Sequence, residues 1–255
     1  MDKFIEVTET SNSFVSKEQI QRMENRYSWA SSLSKSKDVI EIACGTGQGL
    51  GLIQNSARSV KACDISKEMI NTAKETYSKE SIEFQVSDAQ ALPYDNNSAD
   101  IIILFEAIYY LENIFQFMHE VKRVLRPNGE LLISTANCDL YDFNPSPFSI
   151  QYYGSKDLYD LLSTNNFCVE LFGDCSLRNT SLKQKLFRLI KYFSVKMNLM
   201  PKTMTGKKIL KKLVFGELIE MPNKLISTDN VSNDFNRISP EPNVNYKVIL
   251  ARAKL

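Results

Sequence analysis

The chain has little that would mark a special chemistry. Its five cysteines are odd in number and form no C-x-x-C pair, which argues against a disulfide framework or structural zinc site and for a reducing, cytoplasmic setting. The only histidine, His119, sits mid-helix between Met118 and Glu120 and reads as a helix-surface residue rather than a base. No metal is expected. The formal net charge is +1, so no global field points to nucleic acid. No apolar run approaches the roughly 18 residues of a membrane span, and the opening MDKFIEVTET has no apolar stretch of the signal-peptide kind. Internal repeats and low-complexity tracts are also missing. The 43% hydrophobic content suffices for a core, and 255 residues accommodate one α/β domain with an insertion or two small domains.

The most informative stretch is Asp38 to Gly51, DVIEIACGTGQGLG. The β-branched Val39, Ile40 and Ile42 predict a buried strand. Gly45, Gly47, Gly49 and Gly51 then alternate through a turn where the backbone can bend tightly and a ligand can approach closely. Leu50, Leu52 and Ile53 predict a following helix, whose N-terminus would offer free amides. Strand, glycine turn and helix together make a nucleotide-type cradle. The glycines do not fall at the n, n+2, n+5 spacing of a dinucleotide site, and the stretch lacks the Gly-Lys-Ser/Thr of a phosphate-binding loop. Glu41 would repel a pyrophosphate but favour a ligand carrying an ammonium and a sulfonium.

With Glu41, Gly45 and Gly47 in E/D-x-x-x-G-x-G spacing, the sequence resembles the class I S-adenosylmethionine (SAM)-dependent methyltransferases. Later segments extend the resemblance. Ser59 to Asp64 predicts a second strand ending in an acid 19 residues beyond Gly45, the approximate spacing at which an acid binds ribose hydroxyls. Ser66 caps the next helix, on which Met69 is either an adenine contact or core. Ile82 to Val86 alternates as a third strand. Asp88 and Ala89 follow it, where the family places an acid and a small residue that read adenine. Asp100 to Phe105 is a continuous apolar run and predicts a central strand. Glu106-Ala107-Ile108-Tyr109-Tyr110 then lies at the carboxyl end of the sheet, where open α/β folds bind ligands. Asn113 to Leu125 predicts an amphipathic helix ended by Arg126-Pro127-Asn128-Gly129, and Leu131 to Ser134 a fifth strand. The block EVKRVLRPNGELLIS is similar to the same region of the family.

The resemblance implies a seven-stranded Rossmann-like α/β sheet of order 3-2-1-4-5-7-6, with SAM as cofactor and S-adenosylhomocysteine as product. It implies cofactor contacts at Tyr27, Glu41, Ala43, Gly45, Gly47, Asp64, Ile65, Met69, Asp88, Ala89 and Phe105. Tyr27 lies on a helix predicted over about 17–33 from the Ser16/Gln19 capping box. It is either a contact to the SAM carboxylate or an aromatic packed on the sheet. Glu106, Tyr109 and Tyr110 are candidates for the base or for orienting the acceptor. The related enzymes often carry a histidine where Tyr110 stands. The acceptor segment is expected in 137–154, where Tyr141, Phe143, Phe148, Tyr152 and Tyr153 could wall a pocket.

Residues 176–215 differ in kind. They contain 11 basic residues and no acid, with an apolar stripe (Leu182, Leu186, Leu189, Ile190, Phe193, Met197) at helical spacing. Three readings follow: a helical insertion packed on the domain with a solvated basic face, a basic lid over an anionic acceptor, or a membrane-surface helix. The expected organisation is an N-terminal helical cap (1–35), a SAM-binding core (36–175), a basic insertion or lid (176–242) and a final core strand (243–255). The expected activity is methyl transfer to an oxygen or nitrogen of a small molecule, such as a sugar or nucleotide-sugar in cell-surface glycan or secondary metabolism. The alternatives are an RNA methyltransferase using the basic segment and a non-catalytic SAM-binding module. The N/D-P-P-Y/F of amino-group DNA methyltransferases and the Pro-Cys of cytosine-C5 enzymes are missing. A small, anionic acceptor is therefore expected, with peripheral membrane contact through 176–215 as a further partner.

Overall fold

A computed structural model gives the structure over residues 13–178, 180–197, 218–226 and 235–255. The chain opens with a short strand β1 (Phe14–Val15) and helix α1 (Lys17–Leu33). There follow β2 (Asp38–Ile42), α2 (Leu50–Gln54), β3 (Ser59–Asp64), α3 (Lys67–Thr76), β4 (Ile82–Val86), β5 (Ala99–Phe105) and a 3-10 turn (Ile108–Tyr110). Then come α4 (Ile114–Val124), β6 (Leu125–Ala136), α5 (Ser155–Thr164), β7 (Cys168–Ser176), α6 (Leu182–Lys196), β8 (Ile219–Glu220), β9 (Asn236–Ile238) and β10 (Tyr246–Lys254).

The main sheet runs β4-β3-β2-β5-β6-β10-β7-β9. It is parallel from β4 to β6, and β10 lies antiparallel between β6 and β7. Numbered from β2 this is 3-2-1-4-5-7-6 with one strand added, so the described sheet has eight strands rather than seven. The extra strand, β9, comes from the interval read as a helical insertion and pairs Ile238 with Leu171. At three residues it is too short to leave a periodic signal.

β5 shows why the centre is apolar throughout. Ile101, Ile103 and Phe105 pack beneath α1 and α2, while Ile102 and Leu104 pack on the opposite face with α4 and α5. Helix α1 begins with the capping box of Ser16 and Gln19 and spans 17 residues. α2 has only five residues, so the expected helix N-terminus contributes little, and the turn before it does the positioning. β6 starts at Leu125, earlier than the predicted stop. Arg126 to Gly129 form a bulge between the pairs Ala99↔Leu125 and Ile101↔Glu130. A Cβ on Gly129 would stand 2.9 Å from the Arg126 carbonyl, so glycine is required there.

The interval 176–242 is not uniformly an insertion. β8 pairs with β1, and Met221 and Leu225 are buried against α1 and the glycine turn. Of the basic residues of 176–215, Lys202, Lys207, Lys208, Lys211 and Lys212 lie outside the described residues.

Candidate active site

The glycine turn leaves the carboxyl end of β2 through three left-handed residues: Ala43 at φ 56°, Gly45 at 57° and Gly47 at 79°. This bends the chain back on itself, with Gly47 N–H bonded to the Cys44 carbonyl at 3.0 Å. Gly45 N–H donates to Asp64 Oδ2 at 2.9 Å, and Ser66 N–H donates to Asp64 Oδ1 at 2.8 Å. Asp64 thus ties the turn to the cap of α3. Tyr77, unmarked in the sequence reading, pins the turn from α3. Its hydroxyl donates to the Gly47 carbonyl at 2.7 Å and accepts from Gly51 N–H at 3.0 Å. Leu225 N–H donates to the Gln48 carbonyl at 2.8 Å, so the returning segment closes over the turn. Gly49 carries no side chain because Tyr27 occupies the space: a Cβ there would sit 2.2 Å from the ring.

Glu41 is 1% exposed. The Tyr27 hydroxyl donates to its Oε1 at 2.5 Å. Tyr27 therefore serves Glu41 directly and packs edge-on against Phe105, ring centroids 5.3 Å apart. Burial pushes the Glu41 carboxyl up to about 7; the bond from Tyr27 and the Arg26 charge oppose that rise, and Asp64 adds to it. Arg26 is 8% exposed and lies over the Tyr27 ring at 5.8 Å. Among the described residues, Glu41 Oε2 and Arg26 Nε are buried without a hydrogen-bond partner. Arg26 was missed in the sequence, although it interrupts the apolar stripe of Met23, Tyr27 and Ala30.

Beyond β4, Asp88 is half-buried and accepts from Gln90 N–H at 2.8 Å and from the Gln90 side-chain amide at 3.0 Å. Ala89 packs against the core. Ile65 stands 53% exposed beside Asp64, whereas Met69 is buried among core residues.

Just beyond β5, Glu106 is left-handed at φ 53° and held at that strained angle by three bonds. Its N–H donates to the Ser134 carbonyl at 2.8 Å, Ser134 Oγ donates to Oε1 at 2.9 Å, and the Tyr109 hydroxyl donates to Oε2 at 3.3 Å. Tyr109 meets Tyr110 edge-on and stacks on Tyr152, both at 4.6 Å, and Phe143 meets Tyr152 at 4.6 Å. Segment 137–154 is therefore folded over the 3-10 turn, with Ile150 N–H bonded to the Tyr109 carbonyl. Burial raises the Tyr109 phenol well above its ordinary range and pushes Tyr110 up to about 12. Neither phenol is poised to act as a base near neutrality. The described residues contain no cluster of three or more metal-ligating side chains, and no described helix is long and apolar enough to cross a membrane.

Residues 40–133 match the family model described as a methyltransferase domain. A probable S-adenosylmethionine-dependent methyltransferase of Mycolicibacterium smegmatis is 32% identical over 140 residues, which are 52% of this chain and 53% of that protein. A phthiotriol/phenolphthiotriol dimycocerosates methyltransferase of Mycobacterium leprae is 33% identical over 97 residues, 37% of this chain and 36% of that protein. The chain spans about half the length of the first two curated relatives it matches. Among solved structures, the [4+2]-cyclase SpnF superposes at TM-score 0.58 and 14% identity, over 94% of this chain and 83% of that one. The YcgJ protein of Bacillus subtilis superposes at 0.56 and 15%, over 91% and 98%. These likenesses show the fold.

Proposed function

Since residues 40–133 form a methyltransferase domain of the class I SAM-dependent family, we propose that this chain transfers the methyl group of SAM to an oxygen or nitrogen of a small molecule. The observation that carries the reading is the pair of buried, unpartnered atoms Glu41 Oε2 and Arg26 Nε. An α-amino acid head bears one ammonium and one carboxylate. A buried carboxylate and a buried guanidinium, both in contact with Tyr27, can satisfy both, and each desolvated charge gains a partner. The residues present thus fit the cofactor.

Glu41 would hold the ammonium and Arg26 the carboxylate. Asp64 would accept from the ribose hydroxyls, and Asp88, the Ala89 amide and exposed Ile65 would frame the adenine. When bound, SAM supplies an activated methyl on a sulfonium, so the protein's own task is alignment. Tyr109, Tyr110, Tyr152 and Phe143 would wall the acceptor, and Glu106 would take its proton. The aromatic wall supports an acceptor with an apolar or ring-shaped body, such as a sugar, a secondary metabolite or a lipid. A relative named for phthiotriol dimycocerosates supports the lipid end of that range. The test is calorimetric titration with S-adenosylhomocysteine, followed by incubation of the chain with methyl-labelled SAM and fractionated small molecules. Lack of binding would remove the reading.

A further inference from the structure

Helix α6 is turned the wrong way for a packed insertion. Its six apolar residues Leu182, Leu186, Leu189, Ile190, Phe193 and Met197 are 47% to 85% exposed. At 3.6 residues per turn they fall in one stripe of roughly 100°. The reading of a helical insertion packed on the domain with a solvated basic face leaves this exposed stripe unexplained. A different side of the helix meets the domain. Arg188 donates to Asp142 Oδ1 at 2.6 Å and Oδ2 at 3.1 Å, and its guanidinium lies over the Tyr141 ring at 4.7 Å. Tyr192 adds an edge contact to Tyr141 at 5.9 Å. With the Asp142 side chain only 6% exposed, this anchor is largely withdrawn from water, and it fixes the apolar stripe outward.

The exposed Lys185 and Lys196 run along one edge of the stripe. The surrounding 176–215 carries no acidic residue. An apolar strip that size would otherwise stay exposed at considerable cost. The partner must therefore be apolar in depth and negative at its surface. A protein surface ordinarily needs charges of both signs to fix a register, and none of the acidic sign is present. We propose that α6 docks this chain in plane on an anionic lipid bilayer, with the stripe in the acyl boundary and the lysines among the headgroups. Asp142 and Tyr141 belong to the same segment as Phe143 and Tyr152, so the docked surface adjoins the aromatic wall. Docking itself does not depend on the methyltransferase reading.

The test is sedimentation of the full chain with vesicles of phosphatidylcholine alone or with added phosphatidylglycerol. The chain should sediment with the anionic vesicles, less so as salt rises, and stay in solution with the neutral ones. I190S combined with F193S should lower the partition roughly tenfold or more. K185Q combined with K196Q should weaken binding to anionic vesicles only. S-adenosylhomocysteine affinity and circular dichroism, unchanged in each variant, would show that the fold is intact. A chain that ignores anionic vesicles overturns the proposal. So does an I190S/F193S variant that binds them as well as the parent. A chain that instead dimerises through the stripe, with the dimer lost in I190S/F193S and no vesicle binding, also overturns it.

Discussion

The Tyr27 phenol donates a 2.5 Å hydrogen bond to the Glu41 carboxylate, with both side chains withdrawn from water. The bond fixes one oxygen of Glu41 and leaves the other buried without a hydrogen-bond partner among the described residues. A carboxyl in that position is balanced between its two protonation states, because burial holds it at about 7.

Cofactor binding should therefore release a proton. Below pH 7 the free site is mostly protonated at Glu41, and an incoming ammonium favours the carboxylate. Titrations at pH 6.5 in two buffers of different ionisation enthalpy should give different heats for the parent and equal heats for E41Q. Parent affinity should rise with pH up to about 7 and then level off.

The same residue should govern part of the acid stability. Its folded value lies above the unfolded value of 4.5, so the folded state binds the extra proton. Its stabilising contribution is fully present below pH 4.5 and is lost as pH rises through about 7. Denaturant unfolding of the ligand-free chain should show E41Q more stable than the parent at pH 8, by an amount on the order of a few kcal/mol, with the gap closing near pH 4.5. A gap independent of pH would sink the assignment.

Arg26→Met removes a buried charge whose Nε has no partner among the described residues. Folding stability should hold or rise. S-adenosylhomocysteine affinity should fall by about tenfold or more, the value of a charge-assisted pair. 5'-Methylthioadenosine lacks the amino-acid head and should bind parent and variant alike. Equal losses for both ligands would mean that Arg26 acts on the fold rather than on the carboxylate.

The turn was legible because its signals are local. Gly45 and Gly47 report left-handed backbone, and Asp64 reports itself by ending a strand 19 residues on. The apolar runs marked the strands, and their order was what the family resemblance implied. What was not legible depends on partners distant in sequence. Periodicity gives α6 an apolar stripe but not its direction, which Arg188 and Asp142 settle across 46 residues. Tyr77 acts on the turn from 26 and 30 residues away. Tyr27 was expected at the site, but the bond to Glu41 could not be read from either residue alone.

Tyr77→Phe should loosen the turn while leaving its packing. The lost hydroxyl bridges the Gly47 carbonyl and the Gly51 amide, and both would need new partners. A stability loss of about 1–2 kcal/mol is expected by thermal unfolding. A lower affinity for both S-adenosylhomocysteine and 5'-methylthioadenosine should accompany it, in contrast with Arg26→Met.

Glu106 should affect turnover without affecting the cofactor. It sits at the end of β5, bonded to Ser134 and Tyr109. Glu106→Gln keeps the shape and can accept from one of the two hydroxyls while its amide donates to the other, but it cannot take a proton. For a hydroxyl acceptor, kcat should fall about a hundredfold or more while S-adenosylhomocysteine affinity stays unchanged. Tyr109→Phe should raise the acceptor KM more than it lowers kcat, because it removes a wall contact and one bond to Glu106. Its phenol ionises far too high to shape the rate near neutrality, so the pH profile of Tyr109→Phe should keep the parent's inflection. Loss of that inflection in Tyr109→Phe, with Glu106→Gln active, would move the base from the carboxylate to the phenol.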